Sequence, residues 1–160
     1  MSTTVADYLG RRVDVLAFPG AKPAGMVPLG QDLFPDGGRL CVGAQKLAQR
    51  WMLAFLTIRG TVRYDLERGT DFLAEVRAGG LRTETDVQTA FLTARLGVAK
   101  ALRAEDAADD GPADEKYADA ALLAVAVRPD RTLVLTVEIT SLAGTSRKVI
   151  LPLTVGPGGL

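Results

Sequence analysis

The sequence contains no histidine and a single cysteine. Without histidine the usual Ser-His-Asp and Cys-His arrangements cannot form. The side chain that most often moves protons near neutral pH and most often ligates zinc is also missing. Catalysis would have to rest on carboxylates, Lys, Tyr or Cys41. One cysteine allows no intramolecular disulfide, and Cys41 is expected to be a small buried apolar residue rather than a reactive thiol. An excess of either charge is lacking too, because 19 Lys and Arg balance 19 Asp and Glu. Binding to a phosphate backbone needs a basic surplus, and clusters such as Arg11-Arg12 and Arg147-Lys148 are too short to supply one. No nucleic-acid partner is expected. Balanced charge instead lowers the barrier to assembly. No apolar run approaches the roughly 18 residues that a membrane span requires, and none follows Met1-Ser2-Thr3-Thr4 as a secretory signal would need. A soluble chain, folded in a cytoplasm and without a membrane partner, is expected.

The 160 residues are 48% hydrophobic and 24% charged, enough for one domain with its own core. Residues 1–42 stand apart. Pro19-Gly20, Pro23, Gly25, Pro28, Gly30, Pro35 and Gly37-Gly38 interrupt them too often for a helix to persist, so they read as an extended N-terminal arm. A short strand is expected at Arg12 to Phe18. The apolar residues Met26, Val27, Leu29, Leu33 and Phe34 predict that the arm docks on its own domain or on a partner.

Residues 43–160 carry a different pattern. Ala44, Leu47, Ala48, Trp51, Met52, Ala54 and Phe55 recur at helical spacing and predict an amphipathic helix from Gly43 to Leu56, with Trp51 anchoring its apolar face. Thr61 to Tyr64 has strand-like composition and Asp65 to Gly69 reads as a turn. A short helix is expected from Thr70 or Asp71 to Ala78, stopped by Gly79-Gly80. Thr83 with Asp86 forms a capping-box pattern that opens a longer helix. Its expected stripe is Val87, Ala90, Phe91, Ala94, Val98, Ala101 and Leu102, ending near Arg103 or Ala104. The acidic run Glu105 to Lys116 lacks the ligand spacing of a calcium loop and is expected to be solvated and mobile. Beyond it, Leu123, Val125 and Val127 alternate, then Leu133, Leu135, Val137 and Ile139, then Val149, Leu151 and Leu153. Turns at Pro129-Asp130 and Ala143-Gly144-Thr145 separate these runs. This is the pattern of a three-stranded antiparallel meander with one buried face. The expected fold class is α+β, with two amphipathic helices and a short helix packed on that meander.

Chemistry is sparse. No GxGxxG or GxxxxGK[ST] phosphate loop occurs, so no nucleotide cofactor is implied. Asp71 and Glu75 would share a helix face, and Asp65 and Glu67 flank a turn. A carboxylate-dependent hydrolase, however, needs one carboxyl in an apolar cleft. Arg63, Arg68 and Arg77 nearby would keep these acids ionised, so surface ion pairs or pairs across a subunit contact are expected. No catalytic, cofactor-binding or metal-ligating residue is assigned, and no small-molecule substrate is expected.

One stretch has a family likeness. Leu53-Ala54-Phe55-Leu56-Thr57-Ile58-Arg59-Gly60, followed by Tyr64-Asp65-Leu66-Glu67-Arg68-Gly69-Thr70-Asp71-Phe72, resembles the baseplate wedge and sheath-initiator proteins of phage tails. Some members of that family carry an old tail-lysozyme label. The likeness runs from about Gln45 to Leu153, and the order of elements agrees with it. Two features depart from the pattern: Leu66 stands where members often have Pro, and the arm of residues 1–42 is longer than the minimal domain needs.

The resemblance implies a non-enzymatic structural subunit of a virion tail baseplate, assembled in the host cytoplasm. Its partners would be other baseplate wedge and hub proteins and tail tube or sheath subunits. A strand edge of the meander at residues 120 to 153 would be extended by the first sheath ring, and residues 43 to 56 would join a bundle. Partner-binding residues would be Trp51, Phe55, Asp65, Glu67, Arg68, Val149 and Leu151. The rival readings are another virion connector or adaptor, and a cell-wall hydrolase.

Overall fold

The computed structural model describes residues 14–15 and 40–160. Two short strands, β1 (Asp14–Val15) and β2 (Leu40–Cys41), pair antiparallel. The rest of the strand expected at Arg12 to Phe18, and the apolar arm residues Met26 to Phe34, lie outside the described residues. Three helices follow: α1 (Gly43–Leu56), α2 (Phe72–Ala78) and α3 (Glu84–Ala107). Strands β3 (Tyr117–Val127), β4 (Thr132–Ser141) and β5 (Ser146–Thr154) then form an antiparallel meander in the order β3-β4-β5. The fold is α+β, with the helices covering one face of the sheet. No helix among the described residues is long and apolar enough to cross a membrane.

The local signals act where they were expected. α1 keeps its apolar stripe inward, and Cys41 is buried beside its start. Gly79 adopts φ +70° after α2 and donates its N–H to the Val76 carbonyl, while Gly80 donates to that of Glu75. A Cβ at Gly79 would run into the Pro157 carbonyl, so the helix end and the C-terminal segment meet at a point where only glycine fits.

At the start of α3, Asp86 Nα–H donates to Thr83 Oγ1 (3.1 Å), while Asp86 Oδ2 accepts from the amides of Thr83 (2.9 Å) and Arg82 (3.0 Å). The Arg82 amide, helped by the Thr83 hydroxyl and amide, holds the Asp86 carboxyl below its ordinary range. A depressed native pKa means that the cap is fully present above the unfolded value, about 3.9, and is lost as pH falls through the native value. The protection of the first-turn amides of α3, measured against the intrinsic exchange rate at each pH, should therefore fall on acidification through that window, and Asp86→Asn should flatten the dependence.

Four expectations fail. Thr61 to Tyr64 forms turns: the Thr61 amide donates to the Ile58 carbonyl and the Val62 carbonyl accepts from the Asp65 amide, and no strand among the described residues pairs with it. α3 continues to Ala107, since Asp106 is needed in helical register to reach α1 and β3. Ala101 is exposed while Ala99 is buried, because α3 leans toward β3 as well as toward α1. The register of β3 breaks between Tyr117 and Asp119 and again between Leu122 and Ala124. These bulges reset the side-chain alternation. Tyr117, Ala120, Leu122, Val125 and Val127 therefore share the side facing the helices, and Leu123 becomes an unpaired extra residue, 47% exposed.

The core is built on aromatic rings. Trp51 stacks on Phe55 with centroids 4.7 Å apart, and Phe55 meets Phe72 at 4.8 Å and Phe91 at 5.4 Å. Leu133, Leu135, Val137 and Ile139 of β4 close this cluster from the sheet side. Burial of such side chains contributes roughly 1.5–3 kcal/mol each, which makes the cluster the main source of cohesion between the layers.

Candidate interaction surface

The acidic run Glu105 to Lys116, which starts in the last turn of α3, is tied into the fold. Asp106 Oδ1 accepts from Arg50 Nη1 (3.0 Å) and its Oδ2 from the Tyr117 amide (2.7 Å). Glu115 Oε1 accepts from the Gly43 amide (3.0 Å) and its Oε2 from Lys46 Nζ (2.7 Å). The N-cap residue Val42 has no side chain able to cap α1, so Glu115 supplies the carboxylate from across the fold. Burial opposes the charge on Arg50, yet its hydrogen bonds to Glu105 and Asp106 outweigh that and raise its pKa. The expectation of a solvated, mobile loop is corrected here: both buried carboxylates tie the Glu105–Lys116 segment to α1.

Between α1 and α2 the chain makes a closed loop. The Thr70 amide donates to the Thr57 carbonyl (2.8 Å) and the Arg59 amide to the Thr70 carbonyl (3.1 Å), so the two ends are bonded side by side. Thr70 Oγ1, which is buried, donates to the Phe55 carbonyl (2.7 Å) and fixes the base to α1. Gly69 holds φ +99°, and a Cβ there would overlap the Thr57 carbonyl oxygen. Gly60 donates to Leu66, and Asp65 to Val62, closing the tip. Held out on this frame are Tyr64, 91% exposed, and Leu66, 60% exposed, with the Arg63 guanidinium 5.6 Å from the Tyr64 ring centroid. Asp65, Glu67 and Arg68 are exposed on the same tip, and Arg68 comes within 3.7 Å of Glu105.

The sequence-predicted contact residues thus separate. Asp65, Glu67 and Arg68 sit together on the loop. Trp51 and Phe55 are 0% exposed within the aromatic core and present nothing to a partner, and Leu151 is buried under the helices. This corrects their assignment: the apolar stripe of α1 is used up by the chain's own sheet and helices. Val149 is half-buried on β5. Tyr64 and Leu66, exposed on the same tip, were not among the residues singled out from the sequence. The available signal was an aromatic and a leucine between two glycines in a stretch with no periodicity.

Asp71 and Glu75 line an open groove of about 360 Å³ together with Arg59, Asp86, Phe72 and Leu81. The Asp71 side chain is 61% exposed and stands 3.8 Å from Arg59, so it meets water and a cation rather than apolar walls. Among the described residues no group of three or more Cys, Asp or Glu is placed to hold a metal ion.

The two margins of the sheet differ. Ser141 donates to the Thr145 carbonyl (2.9 Å) at the β4-β5 turn, and bonded pairs alternate along an antiparallel ladder. Lys148, Ile150, Pro152 and Thr154 therefore turn their main-chain groups away from β4. Pro152 has no N–H to offer there, and Lys148 adds a charge; both are devices that blunt a strand edge. On β3, the bond from Arg128 to the Thr132 carbonyl (2.9 Å) sets the complementary alternation, so Ala120, Leu122, Val125 and Val127 turn their main-chain groups away from β4 while their side chains stay on the helix side. The chain matches no protein-family model and no curated protein.

Proposed function

We propose that this chain is a structural subunit of a phage-type tail baseplate, acting by packing against neighbouring chains and not by making or breaking bonds. The observation that carries the reading is the loop at residues 57–71, which spends buried main-chain bonds and an obligatory glycine to hold Tyr64 and Leu66 out in solvent. A tyrosine held in place before docking loses little entropy there, and tyrosine is among the side chains that carry most of the energy at protein contacts; Leu66 adds apolar area beside it. The charged neighbours Asp65, Glu67 and Arg68 set register, since exposed ion pairs contribute only about 0–1 kcal/mol each. The order of elements, a helix, a glycine-closed loop, a second and third helix and a β-meander, supports the baseplate assignment. The open, solvated setting of Asp71 and Glu75 gives the hydrolase reading no desolvated general acid.

The test replaces Tyr64 and Leu66 together by alanine. Both side chains lie outside the core, so the urea midpoint of the free chain should stay unchanged. The amount of variant found in purified tail particles should fall at least about tenfold, as expected for losing an anchor worth more than 1.4 kcal/mol. Normal entry of the double variant, or tails that never contain the chain, would overturn the reading. A copy number that does not follow the symmetry of the baseplate would make it a connector instead.

A further inference from the structure

An antiparallel sheet with one covered face alternates apolar and polar residues, whereas a strand buried on both faces reads as an unbroken apolar run. Ala120 to Val127 contains no polar residue, and neither does Val149 to Leu153. Within the chain these strands are covered on one side only. Leu133, Leu135, Val137 and Ile139 of β4 lie in the core, and Val134, Thr136 and Glu138 alternate with them on the opposite, open face. The register brings Ala121, Ala124 and Ala126 of β3 to one side of these three residues, and Lys148, Ile150 and Pro152 of β5 to the other. Ala124, Ala126 and Pro152 are exposed, and Ile150 is 47% exposed. A face so poor in charge is a surface that calls for cover.

The open face is lopsided. Its β3 side is a trough floored by three alanines, and its β5 side is a ridge of larger side chains. Two sheets packed face to face lie ~10 Å apart with their strands within about 30° of each other. A two-fold axis parallel to β4 then seats the ridge of each copy in the trough of the other. Ile150 of one copy meets Ala124 of the other, and Pro152 meets Ala126. Lys148 comes over Ala121 of the other copy and beside its Glu138. Glu138 and Lys148 are the only charges on these nine positions, and neither forms an ion pair among the described residues, so the pair of copies holds two of each sign in one row. A two-fold axis across the strands fits poorly, because it sets alanine on alanine and ridge on ridge.

We infer that the open face of the β3-β4-β5 sheet is a self-association surface, on which a second copy of this chain packs about a two-fold axis parallel to β4. A surface complementary to itself in both relief and charge is what an isologous contact requires, whereas a foreign chain would have to supply that relief separately. The inference does not depend on the baseplate reading. At ~3.4 Å per residue and ~4.8 Å between strands, the face from Thr132 to Thr140 measures roughly 30 by 14 Å. Two such faces give about 800 Å² in projection and somewhat more with side-chain relief, short of the ~1,200 Å² of standard contacts. The pair is therefore reversible and forms with concentration.

The test is sedimentation velocity of the full chain, in which a dimer should grow in between about 1 μM and 1 mM. Ala124→Ile fills the trough and Ile150→Ala levels the ridge. Both positions are exposed in the single chain, so the urea midpoint of dilute protein should hold. Each change acts at two symmetric contacts and should raise the dissociation constant at least about tenfold. An equimolar mixture of the two variants should dimerise like the natural chain, because in the mixed pair isoleucine meets alanine at both contacts. Within one chain Thr136 of β4 separates the two positions, so repacking inside a chain cannot give this rescue.

A monomer throughout the range would overturn the inference and leave the face to a foreign chain. It would equally be overturned by a dimer that both single changes leave intact, or by a mixture that associates no more tightly than its components.

Discussion

Replacing Asp106 by alanine is expected to lower the unfolding free energy by about 3–5 kcal/mol, the range seen when one member of a buried ion pair is removed. Two groups lose their acceptor at once. The buried Tyr117 amide gives up a 2.7 Å bond, and Arg50, partly buried, keeps only its outer partner Glu105 and the Glu115 carbonyl. The loss is larger than the net worth of the pair, because the remaining donors stay desolvated. Asp106→Asn retains shape and one acceptor oxygen and should fall between alanine and the natural residue. The measurement is the urea midpoint with the slope held constant. A change below about 1 kcal/mol would show that α1 and α3 are held together by the aromatic core alone.

Phe55→Ala should be equally costly, about 3–5 kcal/mol, since it removes a fully buried ring that touches Trp51, Phe72 and Phe91. The whole effect should appear in the isolated chain, before any partner is added. That separates Phe55 from Tyr64 and Leu66, whose replacement should leave the isolated chain alone and act only on assembly. An unchanged midpoint for Phe55→Ala, with loss of assembly, would return Phe55 to the contact surface where the family likeness places it.

The contrast between these residues shows where sequence reasoning reaches. The bounds of α1, the Gly79 stop, the Thr83–Asp86 box and the three runs of the meander are written in spacing and in single residues, so local physics suffices to find them. Trp51 and Phe55 mark an apolar stripe, but a stripe does not say whether the chain itself or another chain will cover it. Asp106 and Glu115 look like members of a charged surface run. Only the fold brings Arg50, Lys46 and the bare start of α1 to them, across separations in sequence that no window spans. The β3 bulges belong to the same class: the alternation of Leu123, Val125 and Val127 is real, and one extra residue moves Leu123 out of it. The loop at residues 57–71 has no period at all, and its order comes from main-chain bonds at its base and tip, a glycine pressed on the Thr57 carbonyl and a buried threonine hydroxyl.

Pro152 has a consequence beyond its own strand. On the outward side of β5 it leaves one position with no N–H to give, so any extended backbone laid along that margin would lack a partner for one of its carbonyls near the middle of the strand.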